Sequence, residues 1–336
     1  MITDIIQRLI DRLNLNELEA RHAMEELMAG RATDAQVAAF LTALRMKGET
    51  PCELATFARV MRERAEPFWE GDAVPVLDTC GTGGDRSGTF NISTASAFVV
   101  AGAGVRVAKH GNRAASSKCG SADVMEALGI DIQMPREKLR HAVKDIGIGF
   151  LYAQRYHTSM KHVMPARTQL GVRTVFNFIG PLSNPASPDF QVLGVSSMMV
   201  LDLVANSLQQ LGTSHAFVIY GNDGVDEISI SAPSTIRELK DGEIKSYTVN
   251  PEDFGFFSVS AEKIKGGDAA ANAAIVEAVL GGERSPRRDV VLLNAAAGIV
   301  AGGLADSLAD GVRLAERSID NGSALSRLQQ LRALSK

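Results

Sequence analysis

Apolar positions at helical spacing dominate the first 66 residues of the chain. The clearest example is the run Ile5, Ile6, Leu9, Ile10 and Leu13, which falls on one face of a helix. Asn16, Thr33 and Thr50 each precede a Glu or Gln by three positions, the spacing of a helix capping box. The N-terminal stretch is therefore predicted to consist of consecutive short helices.

Short apolar runs alternate with helical segments from residue 74 onward. This order is typical of βαβ units, whose parallel strands form a sheet covered by helices on both faces. The predicted strands are residues 74–77, 105–108, 148–151, 192–195 and 216–220, with 228–231 as a sixth candidate. The predicted helices are residues 94–103, 122–128, 136–145, 198–211, 268–280 and 290–301.

The pattern predicts an α/β protein with a small all-helical domain and a larger α/β domain, whose mostly parallel central sheet is flanked by helices. Trp69, Gly71 and Pro75 interrupt the helical pattern. We therefore expect a helical domain over residues 1–70 and an α/β domain over residues 71–336. The proline-rich segment 158–188 does not fit the alternation, and an excursion near residues 160–190 is expected to join the helical domain.

Composition excludes several classes of protein. With 45% hydrophobic and 22% charged residues among 336, the chain resembles neither a disordered protein nor a disulfide scaffold. The net charge of −4 gives no general attraction to nucleic acid or to anionic lipid. Three cysteines without CxxC spacing favour a reducing cytoplasm. Neither a signal peptide nor an apolar run of roughly 20 residues is recognisable, so no membrane association is expected.

A glycine-rich loop follows the first predicted strand and precedes a helix. Residues 78–94 read DTCGTGGDRSGTFNIST. Glycines let the backbone approach an anion, and the N–H groups of the turn and of the helix N-terminus point towards it. The loop matches neither the dinucleotide-binding nor the P-loop pattern. It is interpreted as a phosphate-binding loop, and a purely structural turn is the alternative.

A second loop, residues 109–121, follows the second predicted strand and reads KHGNRAASSKCGS. Loops beyond the carboxyl ends of strands are where open α/β sheets bind ligands. Four cationic or cation-capable residues and three serines could together hold a diphosphate. A solvated basic surface loop is the alternative.

Two adjacent carboxylates, Asp226 and Glu227, follow the apolar run 216–220. Neighbouring carboxylates repel each other unless a cation lies between them, and Mg²⁺ is typically bound by one or two carboxylates together with substrate phosphates. By itself the segment could be a turn rich in Asx residues. The two candidate phosphate loops in the same domain favour the magnesium site.

These motifs together resemble those of the anthranilate phosphoribosyltransferase family. The resemblance includes HTSM at 157–160, Arg167, GVRT at 171–174, Asn177 and GPLSNP at 180–185, and it extends from about residue 5 to 330. It implies the fold shared with pyrimidine nucleoside phosphorylases. It also implies transfer of the phosphoribosyl group of 5-phosphoribosyl 1-diphosphate (PRPP) to anthranilate in tryptophan biosynthesis, with Mg²⁺, two ions per PRPP, and a homodimer joined through the helical domain.

The resemblance implies roles for individual residues. Lys109, His110 and Arg167 are the expected catalytic residues. Magnesium is expected at Ser93, Asp226 and Glu227, and anthranilate at Gly81, Asn112 and Arg167. The expected PRPP contacts are Gly81, Gly84, Asp85, Thr89, Asn91, Ile92, Ser93, Thr94, Lys109, His110, Gly111, Asn112, Arg113, Ala114, Ala115, Ser116, Ser117 and Ser121.

Breaking the bond from ribose C1 to diphosphate leaves negative charge on the leaving group. Catalysis is therefore expected to come from Mg²⁺, Lys109 and backbone N–H groups rather than from a nucleophilic side chain.

Two alternatives remain at this point. A nucleoside phosphorylase of the same fold would bind inorganic phosphate and would not need the Asp226–Glu227 pair. A nucleic-acid-binding relative without catalysis would show a basic face and degenerate glycine loops.

Overall fold

Four helices precede the sheet in the computed structural model, which describes residues 2–71, 73–85, 87–114 and 118–336. They are α1 (Ile2–Ile10), α2 (Glu17–Met28), α3 (Asp34–Lys47) and α4 (Pro51–Arg64). Asn16, Thr33 and Thr50 close complete capping boxes, as the spacing predicts. In the last of these boxes Glu53 is fully buried and also pairs with Lys47 at 2.9 Å.

The central sheet has seven strands in the order β3-β2-β1-β4-β5-β6-β7. The first five strands are mutually parallel, and β6 and β7 continue the sheet as an antiparallel hairpin. The strands are β1 (Leu77–Gly81), β2 (Val107–Gly111), β3 (Ile148–Tyr152), β4 (Phe190–Gly194), β5 (His215–Gly221), β6 (Ser234–Lys240) and β7 (Glu243–Val249).

Eleven further helices are present among the described residues. They are α5 (Ile92–Ala103), α6 (Ser121–Ala127), α7 (Arg136–His141), α8 (Ala153–Tyr156), α9 (Met164–Leu170), α10 (Phe176–Leu182), α11 (Leu201–Gln210), α12 (Ala269–Leu280), α13 (Pro286–Ala301), α14 (Leu308–Asp320) and α15 (Ser323–Ser335). A π-helical turn, Ala142–Ile146, follows α7. Short 3₁₀ turns lie at Thr158–His162, Met198–Val200, Pro251–Phe254 and Ala261–Ile264.

The sheet separates two apolar cores. In β5, Phe217 and Ile219 face a core shared with α5 and α12–α15, whereas Ala216 and Val218 face a second core. The second core also receives side chains from α1–α4 and from α9–α11. Strands buried on both faces explain the continuous apolar runs seen in the sequence.

The α/β fold class is confirmed, but several predicted element bounds are wrong. The first two strands begin two to three residues later than predicted and run into polar residues, because Asp78 and Thr79 are buried with hydrogen-bond partners of their own. Residues 228–231 form no strand. Their place at the sheet edge is taken by the hairpin of β6 and β7, which the pattern did not predict.

The helical prediction also has errors. The predicted helix 136–145 ends its α-helical part at His141, and α14 and α15 lie beyond the predicted helices. Within the described residues, no helix combines the length and the apolar character needed to cross a bilayer.

Candidate active site

The loops after β1, β2 and β5 meet around a cavity of about 630 Å³. The cavity lies at the point where the chain order of the strands reverses, since β2 and β3 extend the sheet on one side of β1 and β4 and β5 on the other. Open α/β sheets bind ligands at such a switch point. Most of the predicted PRPP and metal residues line it: Gly81, Gly84, Asp85, Thr89, Asn91, Ser93, Lys109, His110, Gly111, Asn112, Arg113, Ala114, Ser121, Asp226 and Glu227.

The glycine-rich loop packs directly against Asp226. A Cβ atom on Gly81 would lie 2.4 Å from Asp226 Oδ2, so that position admits only glycine without rearrangement. The N–H of Gly83 donates to the same carboxylate oxygen at 2.9 Å. Gly83 and Gly84 have φ values of +62° and +72°, in the left-handed region that favours glycine.

The N-terminus of α5 holds the second carboxylate. The N–H of Ser93 donates to Glu227 Oε1 at 3.1 Å, an arrangement that the helix dipole favours. Both carboxylates are half-buried at the cavity wall. Burial, and then repulsion from Asp226, raises the pKa of Glu227 well above its usual range. Burial, and then Asp85, raises the pKa of Asp226 to about 6.

The chemistry of this corner suits a divalent cation. Asp85 Oδ2 is buried without a hydrogen-bond partner, and three carboxylates repel one another there. Across the described ranges, no three His, Cys, Asp or Glu side chains form a metal site on their own. Hard oxygen ligands from a phosphorylated substrate would complete the coordination that Mg²⁺ requires.

Lys109, in the middle of β2, also lines the cavity. Its side chain is buried and donates to the carbonyl of Thr79 and, at 3.3 Å, to Ser93 Oγ. Burial lowers the pKa of Lys109, and the negative charges of Asp78 and Glu227 oppose that shift. The Lys109 ammonium and the Glu227 carboxylate therefore both bind Ser93, in the first turn of α5.

Asp78 and Asn184 connect the two candidate phosphate loops. The fully buried Asp78 accepts the N–H of His110 at 3.0 Å and the Nδ2 of Asn184 at 2.9 Å. Asn184 also donates to the carbonyl of Ala108 at 2.8 Å. Burial raises the pKa of Asp78 to about 6 in spite of Lys109. In the sequence Asp78 is only an aspartate at the start of the glycine-rich loop, so sequence analysis did not predict that it connects the loops.

Two histidines meet edge to face beside the cavity. The rings of His110 and His157 are 5.3 Å apart, and the Nε2 atom of each is buried without a partner. Burial, and then His157, lowers the pKa of His110 well below its usual range, and burial lowers the pKa of His157 to about 4. Both imidazoles are therefore neutral near pH 7.

Comparisons with known proteins agree with this geometry. The model of a glycosyl transferase family a/b domain matches residues 73–325, and that of its helical bundle domain matches residues 3–65. The chain is 52% identical to the anthranilate phosphoribosyltransferase of Chloroflexus aggregans, over 100% of this chain and 98% of that one. It belongs to the anthranilate phosphoribosyltransferase family. The enzyme of Methanocorpusculum labreanum is 50% identical over 100% and 98% of the two chains.

Solved structures of the family share the whole architecture. The anthranilate phosphoribosyltransferase of Thermus thermophilus superposes with a TM-score of 0.93 at 43% identity, covering 99% of each chain. The Saccharomyces cerevisiae enzyme in complex with PRPP and Mg gives a TM-score of 0.89 at 28% identity, covering 99% of this chain and 97% of that one.

Arg173 is a cavity residue to which sequence analysis assigned no role, although it belongs to the GVRT motif of the family. Its guanidinium donates to the carbonyl of Gly83 at 3.1 Å and to Ser196 Oγ at 3.0 Å, and it lies 5.9 Å from the ring of Phe178. It therefore attaches the segment between α9 and α10 to the glycine-rich loop. The signal for this role in the sequence was the positive charge of Arg173 within the GVRT motif.

Arg113 lines the cavity, but its charge is already paired. It binds Asp123 at 2.9 Å and Glu126 at 2.6 Å, and these contacts raise its pKa. Both partners lie on α6. In this structure Arg113 therefore holds the second loop against that helix.

Not every predicted site residue lies in the cavity wall. Ile92 and Thr94 are buried in the first turn of α5. Arg167 lies on α9, with its guanidinium 4.9 Å from the ring of Phe176, and burial lowers its pKa. Ala115, Ser116 and Ser117 lie outside the described residues.

Proposed function

We propose that this cavity binds PRPP with Mg²⁺ and carries the reaction of the family, transfer of the phosphoribosyl group to the amine of anthranilate with release of diphosphate. One observation supports it above the others. A carboxylate pair with raised pKa values lies against a glycine-rich loop and a helix N-terminus, and a buried lysine binds the same helix N-terminus. The glycine-rich loop and the N-terminus of α5 both favour anions, and each already binds one of these carboxylates. A cation must therefore offset the carboxylate charge when a phosphorylated substrate binds here.

The PRPP diphosphate is assigned to the glycine-rich loop and to the loop after β2. Ser93, Asp226 and Glu227 would hold Mg²⁺, and we propose two ions with each PRPP. When bound, Mg²⁺ supplies positive charge to the leaving diphosphate. The remaining predicted contacts in the cavity wall, among them Thr89, Asn91 and Ser121, bind the sugar phosphate through hydroxyl and amide groups.

The chain's own residues act on charge and position. As the ribose C1–O bond breaks, Lys109 and the backbone N–H groups of the loops stabilise the negative charge that collects on diphosphate. The anthranilate nitrogen forms the new bond to C1 and releases a proton. An aromatic amine is neutral near pH 7, so the site contributes mainly alignment, which can lower a barrier by about 7–11 kcal/mol.

Anthranilate is assigned to Gly81 and Asn112, which both line the cavity, together with Arg167. His110 also lines the cavity, and its ring packs edge to face against that of His157. Arg167, on the helix that ends before Gly171, is proposed to bind the anthranilate carboxylate through both guanidinium N–H groups.

The quaternary structure and the compartment are further proposals. Ile10, Leu18 and Met46 on the N-terminal helices, and Leu13 in the connection after α1, are between 48% and 69% exposed. Apolar side chains at that exposure support a homodimer formed through these helices. Three cysteines without CxxC spacing suit a reducing cytoplasm. We also propose domains at residues 1–70, with an excursion near 160–190, and 71–336, since the second core includes both α1–α4 and α9–α10.

Anthranilate fluorescence tests the function. The purified protein should consume anthranilate only when PRPP and Mg²⁺ are both present, and a chelator should stop the reaction. Phosphorolysis of pyrimidine nucleosides without any use of PRPP would instead identify a nucleoside phosphorylase. The Asp226–Glu227 pair argues against that alternative.

A further inference from the structure

Asn272 is a buried polar residue in the alanine-rich helix α12. Asparagine is a poorer helix former than alanine, and the sequence around it reads AAANAAI. The residue does not line the cavity, yet it is 2% exposed and points at the glycine-rich loop. Its hydrogen bonds therefore require an explanation other than packing.

The orientation of its amide follows from a backbone donor. The N–H of Gly267 donates to Asn272 Oδ1 at 2.7 Å. Because a backbone N–H can only donate, that atom must be the oxygen, and Nδ2 occupies the other end of the amide. This Nδ2 donates to Asn91 Oδ1 at 2.9 Å.

The same argument then fixes Asn91. Its Oδ1 is occupied by Asn272, and Cys119 Sγ lies 3.4 Å from the same oxygen. Its Nδ2 is turned to the other side, where it has a long contact of 3.5 Å to the carbonyl of Cys119. Asn91 and Cys119 both line the cavity. A phosphate oxygen would be a stronger acceptor for this N–H than the distant carbonyl.

The backbone at Gly266 packs closely against both Asn272 and the residue before Asn91. A Cβ on Gly266 would lie 2.5 Å from Asn272 Oδ1 and 2.7 Å from Phe90 Cα. Gly266 donates to the carbonyl of Gly88 at 2.9 Å, and Phe90 to that of Ile264 at 3.2 Å. The segment 264–267 therefore packs against the glycine-rich loop.

We infer that Asn272 is a positioning residue, which holds the amide of Asn91 so that Nδ2 is presented to an oxygen of PRPP. The inference rests on the proposed function, since it takes Asn91 to be a PRPP contact. It assigns a role in substrate binding to a residue outside the cavity wall.

The test substitution is Asn272→Asp. The carboxylate still accepts the N–H of Gly267, but it cannot donate, so Asn91 must turn its NH₂ towards it and leave Oδ1 facing the substrate anion. Loss of a hydrogen bond to a charged group corresponds to about a tenfold or greater increase in the KM for PRPP. We expect the KM for anthranilate to change little, and the melting temperature to fall because the new carboxylate is buried.

Two variants separate orientation from charge and from packing. Ala270→Asp adds the same charge at an exposed position of α12 and should leave the KM for PRPP within about twofold of that of the parent. Asn272→Ala keeps α12 a good helix and removes the donor without adding charge. It should give an increase in KM smaller than that of Asn272→Asp.

A double-mutant cycle completes the test. If Asn272 acts through Asn91, Asn272→Asp should add no further increase in KM for PRPP once Asn91→Ala is present. Additive effects, or an unchanged KM in Asn272→Asp alongside a raised KM in Asn91→Ala, would overturn the inference. An unchanged KM in Asn91→Ala would instead contradict the PRPP site itself, so the two failures are distinguishable.

Discussion

Replacing Asp226 with asparagine should stabilise the protein in the absence of Mg²⁺ and PRPP while impairing catalysis. The Asn side chain keeps an oxygen for the N–H of Gly83, which donates to Asp226 at 2.9 Å. What it removes is a negative charge beside Asp85 and Glu227. The substitution therefore tests whether the site is destabilised by its own charges until a cation binds.

The magnitude follows from the shift in pKa. The pKa of Asp226 rises from 3.8 to about 6 on folding, and each pKa unit corresponds to about 1.4 kcal/mol, so the ionised carboxylate costs at most about 3 kcal/mol. Because the side chain is only half-buried, at the cavity wall, we expect a difference of about 1–3 kcal/mol.

The sign of the pH dependence is determined by the same shift. Below pH 3.8 both the folded and the unfolded state carry the proton, so the charge contributes nothing. Between pH 3.8 and about 6 the folded state binds more protons than the unfolded state, and stability falls as the pH rises. The advantage of Asp226→Asn should therefore be close to zero near pH 4 and largest above pH 6.5.

Urea denaturation of the wild type and Asp226→Asn at pH 4 and pH 7.5, without Mg²⁺, measures this difference. Asp306→Asn, at an exposed position, is the matched control and should behave as the wild type at both pH values. With Mg²⁺ and PRPP the wild type should gain stability through binding, and Asp226→Asn should gain much less. Its kcat/KM should fall about 100-fold or more. Equal stability of Asp226→Asn and wild type at pH 7.5 would refute the reasoning.

Three further substitutions probe the remaining parts of the site. Arg173→Ala should raise the KM for PRPP about tenfold in steady-state kinetics, because the carbonyls of Gly83 and Gly84 lose a charged donor; an unchanged KM would show that the loop keeps its conformation without Arg173. Arg167→Ala should raise the KM for anthranilate sharply and that for PRPP little, with partial rescue by Arg167→Lys; unchanged anthranilate kinetics would place its carboxylate elsewhere. His157→Phe should reduce the decrease in the free energy of unfolding between pH 6.5 and pH 4, as measured by urea denaturation. The reason is that the imidazole, with a pKa of about 4, binds its proton at a lower pH in the folded state than in the unfolded state. An unchanged pH dependence would contradict the burial of His157 as a neutral group.

The helices of the N-terminal region could be predicted because their signals are local. Each capping box depends on residues three positions apart, and Asn16, Thr33 and Thr50 all form the predicted bonds. Strand ends could not be placed in this way. Asp78 lies in the middle of the buried sheet only because His110 and Asn184, distant in sequence, satisfy its carboxylate.

The hairpin of β6 and β7 shows a second limit. Its strands contain few buried apolar residues: Ile236 and Leu239 in β6, and Val249 in β7. The apolar runs used to find the parallel strands have no counterpart there. An edge hairpin is half solvated, so its pattern is weaker.

The loops that line the cavity could be predicted, because strand, glycine loop and helix follow one another in the chain. The ion pairs and hydrogen bonds inside the site could not be predicted. Arg113 is cationic in a candidate diphosphate loop, and yet Asp123 and Glu126 already bind it. Arg173 enters from a distant segment, and its contact with Gly83 depends on tertiary packing that no spacing reveals.

The stoichiometry of the catalysed reaction tests the central claim most directly. Purified protein, PRPP, anthranilate and Mg²⁺ would be incubated, and the product mixture separated and measured for phosphoribosyl anthranilate and diphosphate. The account predicts that the two products form in equal amounts, that a chelator prevents both, and that Asp226→Asn forms neither at a comparable rate. Diphosphate released without the anthranilate adduct, or the adduct formed at full rate in the chelator, would contradict it.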